Sequence, residues 1–184
     1  MVLFLKNLLF TILVPGFVVG WVPHYFLMRR PIWPEALGLL HWLGLAIFAL
    51  GAGIYFHCVW HFARNHGTPA PIDEPKKLVH RGLYAWVRNP MYLGVLTIAA
   101  GEAVFWQRPV LALYAVVLAS TFHLFVVFYE EDNLRLRHGA EYSDYLNRVP
   151  RWLPRKPRPI LVTAAPFAGD RTNQSGPHQT PSGR

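Results

Sequence analysis

The sequence has little charge and almost no cysteine. Only 15% of its 184 residues are Asp, Glu, Lys or Arg, while 53% are hydrophobic. A typical soluble domain carries about a quarter of charged residues. The single cysteine, Cys58, excludes a disulfide within the chain and gives no support to cysteine chemistry. The composition therefore favours a membrane protein over a soluble or disulfide-stapled domain.

The apolar residues are concentrated in four stretches. A spanning helix needs about 20 apolar residues, so the second and fourth stretches are long enough to cross a bilayer. The first is interpreted as a retained helix, because no A-x-A-like cleavage site follows it. The third is short, and the polar break after it predicts a tight helical hairpin with the fourth. The stretches are residues 8–22, 37–60, 91–106 and 110–129.

These stretches predict an all-α, multi-pass membrane bundle of about four segments. Residues 1–160 are expected to form one membrane domain. Residues 161–184 are rich in Gly, Pro, Ser, Thr and Gln, which predicts a disordered tail. Near the end of the membrane domain, apolar and aromatic side chains recur at three- and four-residue spacing after Glu131, with Trp152 and basic residues nearby. This pattern predicts a C-terminal helix at the membrane interface.

Positive charge is distributed unequally along the chain. Of the 18 Lys and Arg residues, all but Arg29, Arg30 and Arg108 fall before the first stretch, between the second and third, or after the fourth. The positive-inside rule then places both termini and the middle loop in the cytoplasm, and we expect a bacterial cell membrane. The net charge of +8 follows from topology and attraction to anionic headgroups, so it requires no nucleic-acid partner.

Four motifs occur in order between residues 50 and 154. They are Leu78-Val79, Gly82-x-Tyr84-x-x-x-Arg88-Asn89-Pro90-x-Tyr92-x-Gly94, Glu130-Glu131, and Gly139-x-x-Tyr142-x-x-Tyr145-x-x-x-Val149-Pro150-Arg151. This set resembles the isoprenylcysteine carboxyl methyltransferase family, which overlaps with the small membrane phospholipid N-methyltransferases.

The resemblance implies a multi-pass membrane enzyme that takes S-adenosylmethionine from the cytoplasm. It also implies where the cofactor lies, between the loop before the third segment and the carboxylates after the fourth. Glu130, alone or with Glu131, would meet the amino group or ribose of the cofactor. The adenosine side would be lined by Lys76, Lys77, Leu78, Val79 and Tyr84, and the rest of the cradle formed by Asn89, Pro90, Met91 and Tyr92.

The chemistry of these residues agrees with such a site. Proline lacks an N–H and pushes Asn89 out of helical geometry, so Asn89–Pro90 begins a helix with unpaired N–H groups facing the loop. Tyr84, Trp86 and Tyr92 offer flat faces for an adenine or a cationic sulfonium. An aromatic belt at the membrane interface would use the same residue types.

The adjacent carboxylates Glu130 and Glu131 are unfavourable at a helix C-terminus, where the helix dipole is negative. A basic partner or a cationic ligand would relieve this cost. We expect Arg88 to orient either this pair or an acidic group of the acceptor. If the acceptor is an amine, a base must remove its proton, and His123 and Glu131 are the candidates.

The acceptor is less constrained than the cofactor. The resemblance implies a lipidic or isoprenoid-linked acceptor with an O or N nucleophile, alongside membrane lipids as partners. The protein-prenyl enzymes usually carry His at the position of Asn89, and some carry an arginine where this chain has Phe125-Val126-Val127. The protein partner stays open.

Two alternatives belong to other classes. His57 and His61 lie four residues apart with Cys58 beside them, a spacing that can hold a haem or metal in a non-enzymatic membrane protein. The aromatic loop could instead anchor a structural subunit. Gly51-Ala52-Gly53 resembles a Gly-x-Gly element of the phospholipid methyltransferases, although small residues also let membrane helices pack closely.

Overall fold

The computed structural model describes residues 15–28, 34, 36–64 and 82–156, and within these residues every regular element is helical. The predicted cofactor residues Lys76, Lys77, Leu78 and Val79, and the predicted tail 161–184, lie outside the described residues. The elements are α1 (Gly16–Leu27), α2 (Leu39–Arg64), a 3₁₀ turn (Gly82–Ala85), α3 (Pro90–Trp106), α4 (Pro109–Phe125), a π turn (Val126–Glu130) and α5 (Glu131–Arg148).

Two prolines mark the starts of α3 and α4. Pro90 and Pro109 each occupy the first turn of their helix, where the missing N–H costs nothing. Gln107 ends α3 in the left-handed region at φ 51°. Only Gln107 and Arg108 separate the two helices, so α3 and α4 form the tight hairpin that the sequence predicts.

The first helix differs from its predicted extent. The apolar stretch 8–22 covers only part of it, since α1 extends to Leu27 and includes Pro23. This helix has the wider π-type hydrogen bonding along its whole described length. It lies against the hairpin, where the Tyr114 hydroxyl donates a hydrogen bond of 2.7 Å to the carbonyl oxygen of Val18.

Helix α3 lies in the centre of the bundle, with α2 on one side, α4 on the other and α1 against both α3 and α4. Close approach of α2 and α3 depends on glycine. A Cβ atom on Gly51 would lie 2.6 Å from the backbone nitrogen of Ile98, and one on Gly101 would lie 2.5 Å from that of Phe48. A Cβ atom on Gly53, by contrast, would have no neighbouring atom within 4 Å. Helix packing is therefore the role of Gly51.

Among the residues that the structure describes, two helices are long and apolar enough to cross a membrane, Leu39–His61 and the continuous Pro109–Arg148. Only 17% of the apolar window of each is buried, whereas the core helix of a soluble domain is mostly buried. Helix α3 is apolar but shorter. The outward side chains of α2 and α4 are large and apolar, among them Trp42, Leu50, Phe56, Leu113, Val116 and Leu124.

The C-terminal helix was predicted as a short separate element, but α5 continues directly from α4 through the π turn. Gly139 kinks it, with φ 51° and ψ −123° inside the helix. On its inner side, Tyr142 and Tyr145 form a buried cluster with Val149. The interfacial location of α5 stays a prediction.

Candidate functional site

The candidate site lies where the start of α3 meets the junction of α4 and α5. The backbone of Asn89 is non-helical at φ −117° and ψ 54°, which ends the preceding turn and lets Pro90 begin the helix. Both residues are buried. Glu130 ends the π turn and Glu131 begins α5. Hydrogen bonds from Arg88 and Tyr92 bring this carboxylate pair next to the start of α3. The two sequence regions predicted to form one site are thus adjacent in the fold.

Glu131 is bound by two arginines. Arg151 donates two hydrogen bonds to it, Nε to Oε1 at 2.7 Å and Nη2 to Oε2 at 3.0 Å. Arg88 Nη1 donates a third to Oε1 at 3.0 Å. Paired N–H···O bonds between a guanidinium and a carboxylate are among the strongest side-chain contacts. Glu131 is buried and Arg88 nearly so, whereas the Arg151 side chain is 31% exposed, so this ion cluster is buried on the side of Arg88 and reaches the surface at Arg151.

The surroundings of Glu131 keep it ionised. Burial raises the pKa of the Glu131 carboxyl, but the Arg151 hydrogen bond and the charges of Arg88, Arg151 and Arg135 outweigh it, so that the pKa lies below its usual range. A carboxylate with a lowered pKa is a weak proton acceptor. The geometry therefore works against the predicted role of Glu131 as a catalytic base.

Residues 149–155, which we name the strap, run back across the turn before α3. The Arg88 N–H donates to the Pro150 carbonyl oxygen at 2.9 Å, and the Arg155 N–H donates to that of Trp86 at 3.0 Å. The Asn89 side chain adds a bond from Nδ2 to the Arg151 carbonyl oxygen at 3.2 Å. The strap is therefore fixed to the residues that begin α3.

Glu130 has a different environment from its neighbour. The Tyr92 hydroxyl donates a hydrogen bond of 2.8 Å to Glu130 Oε2, which joins the first turn of α3 to the end of the π turn. The Tyr92 ring lies 4.8 Å from that of Phe122, centroid to centroid. Glu130 is partly exposed, whereas Glu131 is buried. Of the pair, Glu130 is the better placed to meet a ligand.

Tyr84 connects the turn before α3 to two other elements. Its carbonyl oxygen accepts a hydrogen bond of 2.7 Å from the Tyr145 hydroxyl on α5. Its own hydroxyl is hydrogen-bonded to the buried Cys58 of α2. Burial, and then the neighbouring Cys58, raise the pKa of Tyr84 well above its usual value, so its phenol stays neutral.

Met91 and Pro90 contribute differently from the other predicted cofactor residues. The side chain of Met91 packs against the hydrophobic core cluster that contains Tyr55 and Val95. Pro90 is fully buried. Both residues therefore act chiefly in placing the start of α3, and their predicted contact with the cofactor stays a prediction.

His57 and His61 border the same turn. Gly82 has a φ of +64°, and a Cβ atom there would lie 3.5 Å from His61 Nε2 and 3.7 Å from His57 Nε2. The two rings are 6.4 Å apart. Across residues 15–28, 36–64 and 82–156, no group of three His, Cys, Asp or Glu side chains could hold a metal ion. The histidine pair thus lacks a third protein ligand within that part of the chain.

His123 is bound to the strap. Trp152 Nε1 donates to His123 Nδ1 at 3.0 Å. Because indole nitrogen can only donate, Nδ1 of a neutral His123 is the acceptor and Nε2 carries the proton. The nitrogen that could take a proton from an acceptor is thereby occupied. This arrangement works against the predicted role of His123 as a base.

Arg151 and Trp152 are contacts of the site that the sequence does not assign to it. Arg151 stands in the last motif, 20 residues after Glu131, but it follows a proline just as Arg155 and Arg158 do. Trp152 fits an interfacial residue from its sequence alone. No periodicity connects either residue to the turn before α3.

Comparison with known proteins assigns the family. The profile of the phospholipid methyltransferase family matches residues 39–141. Protein-S-isoprenylcysteine O-methyltransferase of Rattus norvegicus is 31% identical over 144 residues, which cover 73% of this chain and 48% of the relative. Methanethiol S-methyltransferase 2 of Bradyrhizobium diazoefficiens is 31% identical over 142 residues, covering 68% and 50%.

The methanethiol S-methyltransferase of Crocosphaera subtropica is 30% identical over 97 residues, which cover 51% of this chain and 33% of that protein. The chain spans about half the length of the Rattus norvegicus and Bradyrhizobium diazoefficiens relatives, and a third of the length of the Crocosphaera subtropica relative. The profile match covers more than half of the chain and includes both the start of α3 and the carboxylate pair. The chain therefore belongs to the phospholipid methyltransferase family.

Proposed function

We propose that this protein is an integral membrane methyltransferase that uses S-adenosylmethionine to methylate a lipidic or isoprenoid-linked acceptor. Family membership supports methyl transfer, and the two long apolar helices support a membrane location. The observation that carries the proposal is the meeting of Asn89–Pro90 and Tyr92 with Glu130 at one end of α3.

The residues at this end fit the cofactor. Arg88 Nε is buried and has no hydrogen-bond partner within the described residues, so an anionic ligand group would satisfy it. The Glu130 carboxylate, which accepts a hydrogen bond from Tyr92, would suit an ammonium group. Arg88 and Glu130 together match an amino acid moiety, while Tyr84 and Tyr92 offer aromatic surface for the rest. When bound, S-adenosylmethionine supplies a methyl group on a sulfonium.

The chain contributes alignment and a dry site. Buried Asn89, Pro90 and Val87 exclude water from the start of α3, and the strap covers the preceding turn. Holding donor and acceptor in register lowers the barrier by removing the entropy cost of a bimolecular encounter. We expect backbone N–H groups in the first turn of α3 to contribute to the same cradle.

The proton balance favours an oxygen nucleophile over an amine. An amine must lose a proton, but the two predicted bases, His123 and Glu131, are held by Trp152 and by two arginines. A nucleophile that is already ionised, such as a carboxylate, needs no base. The related proteins named above act at oxygen or at the sulfur of methanethiol, which adds a thiolate as a second acceptor of this kind.

The same proposal includes the topology. The start of α3 would face the cytoplasm, from which the cofactor enters, and both termini would lie on that side. With α1 and α3, the two long helices would complete about four spanning segments. The acceptor would reach the site sideways from the bilayer, where the outward faces of α2 and α4 are apolar.

The test is methyl transfer from labelled S-adenosylmethionine in membranes that contain the full chain. We expect label in the lipid fraction and its release by mild base as a volatile product, since a methyl ester is base-labile. Membranes carrying Glu130→Gln would show little transfer, and membranes carrying Arg148→Gln, a half-buried arginine that pairs with Asp144 on α5, would match the original protein. Base-stable label would instead assign a nitrogen or sulfur acceptor. No transfer by folded protein with any membrane lipid would refute the proposal.

A further inference from the structure

We infer that Arg151 is a positioning residue, whose paired hydrogen bonds to Glu131 lock the strap onto the residues that begin α3. The inference rests on the proposed function only where it concerns the cofactor. Its structural part stands on the contacts of residues 86–89, 131 and 149–155.

Three segments that are distant in sequence meet at the Glu131 carboxylate. Glu131 itself begins α5, Arg88 belongs to the turn before α3, and Arg151 belongs to the strap. The Arg88 contact spans 43 positions and the Arg151 contact spans 20. Because one buried carboxylate accepts from both side chains, it fixes the distance between the turn and the strap.

The backbone of Arg151 acts on the site as well. Its carbonyl oxygen accepts the 3.2 Å hydrogen bond from Asn89 Nδ2. Asn89 directly precedes Pro90, so a shift of the strap would move the residue that begins α3. The side chain of Arg151 therefore holds in place the carbonyl group that orients Asn89. This is an indirect action, since no contact of Arg151 with a ligand is required.

The guanidinium shape is needed for this role. Arg151 uses Nε and Nη2 on the two oxygens of Glu131, a planar two-point contact that lysine cannot make. Lysine would keep the charge and lose the orientation. Arg151→Lys is therefore the variant that separates orientation from simple charge neutralisation.

Two further contacts anchor the strap. Trp152 donates to His123 on α4, while the Arg155 N–H donates to Trp86. They lie one and four residues after Arg151 and do not involve its side chain. They should keep the strap near the protein after Arg151 is replaced, so the variant is expected to stay folded with a looser strap.

The first experiment is amide hydrogen exchange on the full chain in detergent. Arg151→Gln should speed exchange at the Arg88 and Arg155 amides about tenfold, the effect of losing a charged hydrogen bond, while α2 amides keep their rates. Arg155→Gln is the matched control, since Arg155 contributes only its backbone N–H to the strap. Equal exchange in Arg151→Gln and the original protein would overturn the inference. This readout is independent of any enzymatic activity.

The second experiment measures cofactor KM and kcat. Arg151→Gln should raise KM for S-adenosylmethionine about tenfold and change kcat far less, and Arg151→Lys should recover only part of the loss. In a Glu131→Gln background, Arg151→Gln should have little further effect. Full recovery by lysine, or an equal loss in both backgrounds, would refute the positioning role. If the original protein neither binds nor uses the cofactor, the proposed function fails, while the exchange data still decide on the strap.

Discussion

The two contacts that fix α3 are of opposite kinds. Along its length, α3 meets α2 through backbone atoms brought together by Gly51 and Gly101. At its start, it is held by ionised side chains, with Glu131 between Arg88 and Arg151. The first contact depends on shape and leaves no room for a side chain. The second depends on charge and orientation, and it brings together the groups that we propose meet the cofactor.

The glycine contact and the ion cluster therefore have separate roles, the first in the fold and the second in the chemistry of the site. Close helix contact through small residues is how apolar helices associate where the hydrophobic effect is weak. A buried ion cluster adds little net stability compared with apolar packing, yet breaking it is costly. The glycine contact should therefore control folding, and the ion cluster should control the geometry of the site.

The largest effect is expected from filling the glycine contact. Gly101→Leu places a side chain where a Cβ atom alone would lie 2.5 Å from the Phe48 backbone nitrogen. Backbone atoms cannot move aside as a flexible side chain can, so α2 and α3 would separate. We expect loss of stability above the about 1–3 kcal/mol typical of overpacking, measured as the thermal midpoint in detergent.

The control for that experiment is Gly53→Ala, because Gly53 has no neighbouring atom within 4 Å of the added methyl group. It should leave the midpoint unchanged or raise it slightly, since alanine favours the helix by about 1 kcal/mol. If both substitutions lowered the midpoint equally, the packing role of glycine would be wrong.

The next effect is expected from removing the shared carboxylate. Glu131→Gln leaves Arg88 and Arg151 without their anion in a buried place. Breaking such a pair costs about 3–5 kcal/mol when fully buried, and partial exposure of Arg151 should reduce this. Glu130→Gln should cost much less stability and still abolish methyl transfer. Comparing the two midpoints and the two activities separates the structural from the ligand-facing carboxylate, and identical behaviour of both variants would contradict that division.

A smaller effect concerns pH. The pKa of Glu131 is lowered in the folded protein, so its contribution to stability is fully present above the ordinary value of about 4.3 and is lost as the pH falls through the lower folded value. Unfolding measured from pH 6 to pH 2 should show the original protein losing stability more steeply than Glu131→Gln. Parallel curves would show that Glu131 does not cause the acid sensitivity.

The smallest effect is expected from Trp152→Phe. It removes the N–H donated to His123 but keeps an aromatic ring beside the exposed histidine. An exposed hydrogen bond is worth about 0.5–1.5 kcal/mol, and we expect the thermal midpoint to fall accordingly with methyl transfer nearly unchanged. A large loss of transfer would instead assign Trp152 or His123 to the acceptor side of the site.

Much of the fold followed from local signals. Apolar runs predicted α2 and α4, and the break at Arg108 and Pro109 predicted the hairpin, because both depend on neighbouring residues. The continuity of α4 and α5 was not predicted, because the adjacent carboxylates of Glu130, Glu131 and Asp132 are typical of the end of a helix rather than of its interior. Arg88, expected from the sequence to orient either the carboxylate pair or the acceptor, contacts Glu131 from 43 positions away, whereas Arg151, 20 positions away, is brought there only by the tertiary fold.

The sequence identified more of the residues of the site than of the side-chain contacts between them. Asn89, Tyr92 and Glu130 were named from sequence, and they lie at one end of α3. Which carboxylate faces a ligand could not be read from two adjacent glutamates. That distinction depends on the tertiary contacts, which place Tyr92 beside Glu130 and two arginines beside Glu131. For the same reason, the bond between His123 and Trp152 gave no signal, because α4 and the strap approach only in the folded chain.

The most direct test of the account is equilibrium binding of labelled S-adenosylmethionine to the purified full chain in detergent. We expect saturable binding that is lost in Glu130→Gln and retained in Arg155→Gln, with a thermal midpoint that falls only slightly in the first variant and is unchanged in the second. Absence of saturable binding by the folded original protein, or binding that Glu130→Gln leaves intact, would contradict a cofactor site at the start of α3.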